Sequence, residues 1–374
     1  MLLLDGGSTS IAQFLPSPQP EIPSHLSRLW TSAFSLVCPS AVKQWHLSFL
    51  NSGSDIITTN TYQIPLAECV PDIEVPAAIR SAVQLAVEAS EEAGHGAVAL
   101  SFGTKNSNYG KGEYSVEPLA PFDEYASYHR DKISQFHDAL RGLWDKIEYL
   151  AFETVSSYEE AKAVLCVLDE KDVRPMVQGK KAWITFSCGD GSIPRLRNII
   201  SRIAKSPCIS ALWGIGVNCI GIDIALNLAK MVDEEVRSNL LALVVYPDAG
   251  SWKDRTTAQF IYDAPVPTDD DVDRWSQSLK ELRHMDRNEI LVGGCCNTDP
   301  RFIRKLYDQF KYLSKYHSSI SNQGSGRNLG RISKPRKTST FAVTTLSRCL
   351  YCGCSMRGIS TLTDKSSKKP SLGL

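Results

Sequence analysis

Short apolar runs alternate with longer amphipathic segments along the whole body of the chain. The runs at 2–4, 55–62, 97–102, 148–152, 182–186, 211–219, 240–246 and 289–296 are brief and mostly apolar, several of them rich in β-branched residues. This is the pattern of strands buried on both faces. Between them, apolar positions recur at helical spacing over 26–34, 41–50, 76–93, 122–142, 157–170, 195–205, 222–237, 271–284 and 299–315. Eight strands, each followed by a helix, require parallel pairing through right-handed crossovers, and eight such units close a (β/α)8 barrel. An open doubly wound sheet is the competing architecture. In the barrel, chemistry sits at the C-terminal ends of the strands. Asp5, Thr59 to Tyr62, Glu153, Cys219, Cys295 and Cys296 all fall at predicted strand exits.

Charge and composition divide the chain. The 374 residues carry 41 basic and 41 acidic side chains, but from Ser318 onward ten are basic and only Asp364 is acidic. An acidic body over 1–317 is therefore followed by a basic, Ser- and Gly-rich tail over 318–374, expected to be disordered. No nucleic-acid or membrane partner is expected for the tail. Cys349, Cys352 and Cys354 lie in it without a second pair to complete a zinc knuckle. The first residues have no basic flank and their apolar run stops at Asp5, which excludes a signal peptide. No run approaches the roughly 18 apolar residues of a membrane helix. Eleven cysteines in such a chain read as buried thiols or metal ligands in a reducing compartment, the cytoplasm.

The run at 289–296 ends in Gly293, Gly294, Cys295 and Cys296. Neighbouring cysteines bond to each other only through a strained ring, but both reach one soft metal ion. Cys219, at the end of the run 211–219, supplies a third thiol, and three thiols at two strand exits suggest a zinc site with one open position. Asp5 to Ser8 form a turn rich in backbone N–H groups. Tyr62, Tyr109 and Tyr114 lie on loops at the expected barrel mouth. Cys188 is read as a packing residue, and the helical His46, His129 and His137 as surface or packing residues.

Seven words occur in order along 1–317: Leu-Asp-Gly-Gly at 4–7, Thr-Asn-Thr-Tyr-Gln at 59–63, Ala-Phe-Glu-Thr at 151–154, Phe-Ser-Cys-Gly-Asp-Gly at 186–191, Gly-Val-Asn-Cys at 216–219, Val-Val-Tyr-Pro at 244–247 and Gly-Gly-Cys-Cys at 293–296. With them the chain resembles the homocysteine S-methyltransferase family, in the branch that uses S-methylmethionine or S-adenosylmethionine. The resemblance implies zinc held by Cys219, Cys295 and Cys296, with the fourth position left for the thiolate of homocysteine. It implies that Asp5 and Glu153 bind the substrate ammonium, that N–H groups around Gly6, Gly7 and Ser8 hold its carboxylate, and that Tyr62 faces the sulfonium donor. The product would be methionine. Two segments depart from the family: Cys219 is followed by Ile220-Gly221-Ile222-Asp223, and Pro247 by Asp248-Ala249-Gly250-Ser251 where Asn-Ser-Gly-Glu is usual. The chain also opens directly on its first strand, so either the leading segment that often closes the barrel bottom is missing or the true start lies upstream of Met1. A betaine-dependent enzyme and an inactive zinc- or thiol-binding barrel are the alternatives. The chain lacks room for the long C-terminal oligomerisation arm of betaine-dependent enzymes, which argues against betaine as donor; a monomer is expected.

Overall fold

The computed structural model describes residues 1–105, 107, 120–188, 192–249 and 266–312. Eight parallel strands form one sheet: β1 (Leu2–Leu3), β2 (Ile56–Thr58), β3 (Ala97–Phe102), β4 (Ile147–Val155), β5 (Lys181–Phe186), β6 (Gly214–Asn218), β7 (Ala242–Tyr246) and β8 (Ile290–Val292). The order runs β1-β8-β7-β6-β5-β4-β3-β2. A bridge between Leu4 and Ile56 joins the two ends, supported by Asp5 N–H to Ile56 O at 3.1 Å and Asp55 N–H to Leu3 O at 2.7 Å. The expected (β/α)8 barrel is therefore the fold, and the open doubly wound sheet is excluded.

Each strand feeds a helix: α1 (Pro39–Asn51), α2 (Val75–Ala93), α3 (Phe122–Ala139), α4 (Tyr158–Leu168), α5 (Ile193–Ala204), α6 (Ile222–Val236), α7 (Asp269–Ser278) and α8 (Pro300–Tyr307). Proline within the first turn starts α1, α2, α5 and α8, where a missing N–H costs nothing. Inward-facing Leu4, Ile56, Ala99, Ala151, Trp183, Val244 and Leu291 fill the barrel, and a larger apolar layer lies between strands and helices. Large and small side chains meet there, so the barrel interior is a packed core.

Several boundaries differ from the periodicity. The strand expected over 211–219 is shortened because Pro207–Ala211 forms a 3-10 turn, and that expected over 55–62 ends at Thr58. Residues 26–34 are not one regular helix: Ser24–Ala33 is 3-10 and breaks at Trp30, whose φ is 51°. The boundary at 317, the tail, Tyr109 and Tyr114 lie outside the described residues.

His46 is packing, as expected, though at a cost. It is buried on α1 against Trp45, and neither ring nitrogen has a hydrogen-bond partner among the described residues. Burial lowers its pKa to about 3. The unfolded chain then binds a proton below pH 6.5 that the folded one refuses, so stability falls on acidification by about 1.4 kcal/mol per pH unit. His46→Leu is expected to stabilise the protein by about 1–3 kcal/mol at pH 7.5, the cost of an unsatisfied buried polar group. The gain should be about 2 kcal/mol larger at pH 5.0. Denaturant unfolding at the two pH values measures both, and an equal difference at each would rule out the buried imidazole as the cause.

Candidate active site

Cys219 follows β6, and its φ of 52° turns its side chain sharply off the strand direction. Left-handed backbone is unfavourable for a non-glycine residue, and such strain concentrates where a side chain must be aimed. Cys295 and Cys296 follow β8 through Gly293 and Gly294. Cys219 Sγ lies 3.7 Å from Cys296 Sγ. Asp248, after β7, joins the three thiols in a group whose ligand atoms all lie within 4.8 Å of one another. Tetrahedral zinc with bonds of about 2.3 Å places its sulfurs about 3.8 Å apart, so the donor set and its spacing fit that ion. Hydrogen bonds among the thiols raise some of these pKa values and lower others, the Cys219 bond lowering that of Cys295, while burial and the nearby Asp248 carboxylate raise each of them, and all three lie well above the ordinary thiol value. Three thiolates here need a bound cation.

Two carboxylates converge on the same mouth. Asp5 is buried at the end of β1; its Oδ2 accepts the Thr58 N–H at 2.8 Å and its Oδ1 the Thr58 hydroxyl at 2.9 Å. Glu153 lies where the β4–β5 register shifts, beside Thr154 with φ 63°. Such a bulge re-aims a side chain. Its Oε2 accepts the Ser101 hydroxyl at 2.7 Å and its Oε1 the Tyr246 hydroxyl at 3.1 Å. Burial pushes Glu153 up to about 7. Burial, opposed by the Thr58 bonds and reinforced by Glu153, also holds Asp5 well above the usual carboxylate range. A cleft of about 750 Å3, measured to its open mouth, is lined by both carboxylates, all three cysteines, Gly6, Gly7, Ser8, Tyr62 and Trp30.

The sequence also matches the family model for homocysteine S-methyltransferase over residues 2–310. The chain belongs to the homocysteine S-methyltransferase family. It is 27% identical over 306 residues to homocysteine S-methyltransferase 1 of Arabidopsis thaliana, covering 76% of this chain and 87% of that protein. A betaine-homocysteine S-methyltransferase of Drosophila melanogaster is 30% identical over 322 residues, covering 75% and 87%. Among solved structures, the metallated form of the homocysteine methyltransferase MmuM from Escherichia coli superposes with a TM-score of 0.57 at 23% identity, covering 82% of this chain and 95% of that one. That likeness concerns the fold.

Every site residue expected from the sequence that is described lines this cleft. Gly7 has a further part: its N–H donates to Thr298 Oγ1 at 3.0 Å, and a Cβ there would overlap the Cys295 carbonyl. Glycine thus lets β1's turn pack onto the cysteine turn. Sequence reasoning missed the residues that join the two halves of the site. Asn218 exchanges hydrogen bonds with Thr154, N–H to Oδ1 and Nδ2 to Oγ1, both 2.9 Å, and its Nδ2 approaches Cys295 Sγ at 3.9 Å. Trp30 meets Tyr62 edge to face at 6.5 Å, extending one aromatic wall. Asn218 and Tyr246 did stand in matching words, Gly-Val-Asn-Cys and Val-Val-Tyr-Pro, and that was their only signal. Cys188 is buried in the apolar layer, away from the thiol group. None of the described helices is long and apolar enough to cross a membrane.

Proposed function

We propose that the protein transfers a methyl group from a sulfonium donor, S-methylmethionine or S-adenosylmethionine, to the thiolate of homocysteine with zinc as cofactor, giving methionine in the cytoplasm. The observation that carries this is the convergence of three thiols and two buried carboxylates on one cleft. Zinc held by Cys219, Cys295 and Cys296 would take up the substrate sulfur as a thiolate at neutral pH, which a free thiol of pKa about 8.5 is not.

The chain's own residues supply the positioning. Asp5 and Glu153 take the substrate ammonium between them, which lowers the cost of burying two carboxylates near each other. Thr58, Ser101 and Tyr246 fix those carboxylates by hydrogen bonds, so no reorganisation is needed when substrate arrives. Backbone N–H groups at Gly6 and Ser8 hold the substrate carboxylate; Gly7 serves by close approach. Trp30 and Tyr62 present ring faces and edges at the mouth, where a sulfonium cation is attracted to a π face by about 0.5–2 kcal/mol. The body is assigned to 1–317 and the basic tail to 318–374.

Betaine is the competing donor, favoured by the 30% identity to the Drosophila enzyme. The zinc-loaded protein, given homocysteine with each of the three donors and followed for methionine, decides between them. Stoichiometric zinc without turnover on any donor would instead leave a metal- or thiol-binding barrel. Gly7→Ala is expected to displace the Cys295 turn and weaken zinc retention by roughly tenfold or more, since about 1.4 kcal/mol of strain suffices. Metal analysis after dialysis against a weak chelator reads this directly; full retention would show that the turn can yield.

A further inference from the structure

Two cysteines outside the thiol centre also meet. Cys166 lies in the last turn of α4, and Cys208 in the 3-10 turn Pro207–Ala211 that leads into β6. α4 runs from the exit of β4 back toward the start of β5, and the 3-10 turn stands just before β6 begins. Both cysteines therefore sit at the end of the barrel opposite the mouth. Leu168 and Asp169 at the end of α4 share one surface cleft with Ser210 and Ala211 of the turn. The two thiols hydrogen-bond to each other, and each is half-buried. Cys208 is also held in place: its N–H donates to Ser206 Oγ at 3.3 Å, and its side chain packs against the main apolar layer. Thiols already in contact need only side-chain rotation to reach the roughly 2.05 Å of a disulfide bond. Burial, and then the neighbouring Cys208, hold Cys166 above the ordinary thiol value, so in a reducing compartment the pair rests as two thiols.

We propose that Cys166 and Cys208 form a modification site, at which a small-molecule disulfide oxidises them to an intramolecular disulfide that ties α4 to the turn before β6. One cysteine thiolate attacks a sulfur of the small disulfide, breaks its S–S bond and expels one thiolate. The other cysteine thiolate then attacks the protein-bound sulfur and expels the second. Two protein S–H bonds are lost and one S–S bond forms; the two electrons reduce the small disulfide to two thiols, which take up the two protons. The link closes the loop 166–208 around β5 and α5. Restricting a loop of that length in the unfolded chain favours the folded one. Neither cysteine lines the cleft, so turnover is unaffected. The proposal is independent of the methyl-transfer reading.

The test incubates the full chain, equilibrated with zinc, with excess glutathione disulfide, then alkylates and digests it without reduction. Trypsin alone leaves Cys208 and Cys219 together on the peptide 206–230, so chymotrypsin is added to cut after Trp213. Mass spectrometry is expected to find the fragments carrying Cys166 and Cys208 joined in most of the chain, and dithiothreitol should release them. Glutathione held on either cysteine without the 166–208 link overturns the proposal. So does a pair that stays reduced in excess oxidant.

Thermal denaturation supplies a second readout. Oxidation should raise the Tm of the native chain by about 3–6 °C more than that of Cys166→Ser or Cys208→Ser. The variants keep the site thiols, so oxidation there moves all three chains alike and the difference between the shifts reports the link. A mapped link with no such difference would overturn the stabilising role. The mapping needs only the native chain, so it decides the matter even if a variant does not fold.

Discussion

Cys296→Ala is expected to lower methionine formation by roughly a thousandfold or more, about 4 kcal/mol of transition-state stabilisation. Two losses combine. Without a metal-held thiolate, a substrate thiol of pKa near 8.5 is ionised to only a few per cent at pH 7, which alone costs roughly 30-fold. The rest is positional: a sulfur no longer fixed in line with the donor methyl forfeits part of the large advantage of a held geometry. The variant should retain less than a stoichiometric zinc, because two thiols are a weaker set than three. Chelation of the native protein should reproduce the loss, and added zinc should restore the native protein but not the variant. Turnover within tenfold of native in a zinc-poor Cys296→Ala protein would end the case for metal-assisted methyl transfer.

Glu153→Gln should act in opposite directions on catalysis and on stability. Removing one partner of a buried charge pair costs about 2–5 kcal/mol, so kcat/KM for homocysteine is expected to fall roughly 100-fold or more. The loss should fall mainly on KM, since the ammonium is held equally in ground and transition states. The native carboxyl, raised to about 7 by burial, is neutral in acid and charged above that value. Substrate binding should therefore strengthen as pH rises through about 7, and this limb should vanish from the variant's profile.

Stability has the other sign. A carboxyl whose folded pKa lies above its unfolded one binds more protons when folded, so stability is lost as pH rises from about 4.5 toward 7. The glutamine removes that loss. Without substrate the variant is expected to be more stable above pH 7 by up to about 3 kcal/mol. Initial rates across pH 5.5–9 and thermal denaturation of the same samples measure both effects. A variant that is both less active and less stable at pH 8 would mean that Glu153 is a structural group.

The amino-acid sequence by itself determined the alternation of strands and helices, and with it the barrel. Parallel strands buried on both faces must be apolar throughout, and their crossover helices must be amphipathic, so the two periods are written locally in the chain. It also placed Asp5, Glu153, Cys219, Cys295 and Cys296 at strand exits, which in a closed barrel means one mouth. It did not determine where the strands end, because that depends on a ladder partner: β2 stops at Thr58, although the β-branched run continues to Thr59.

Nor did it determine how the side chains are aimed. The left-handed turns at Thr154 and Cys219 have no residue signature, since neither is glycine, and they exist because the surrounding packing holds them there. Ser101, Glu153 and Tyr246 come from β3, β4 and β7, and only barrel closure brings their inward faces within hydrogen-bond distance. The same holds for Asp248. As a letter after Pro247 it reads only as a departure from the family's usual residue; in the folded chain it is a buried carboxylate among three thiols. Local periodicity fixes the elements, whereas the chemistry of a residue depends on the charges that distant strands bring beside it.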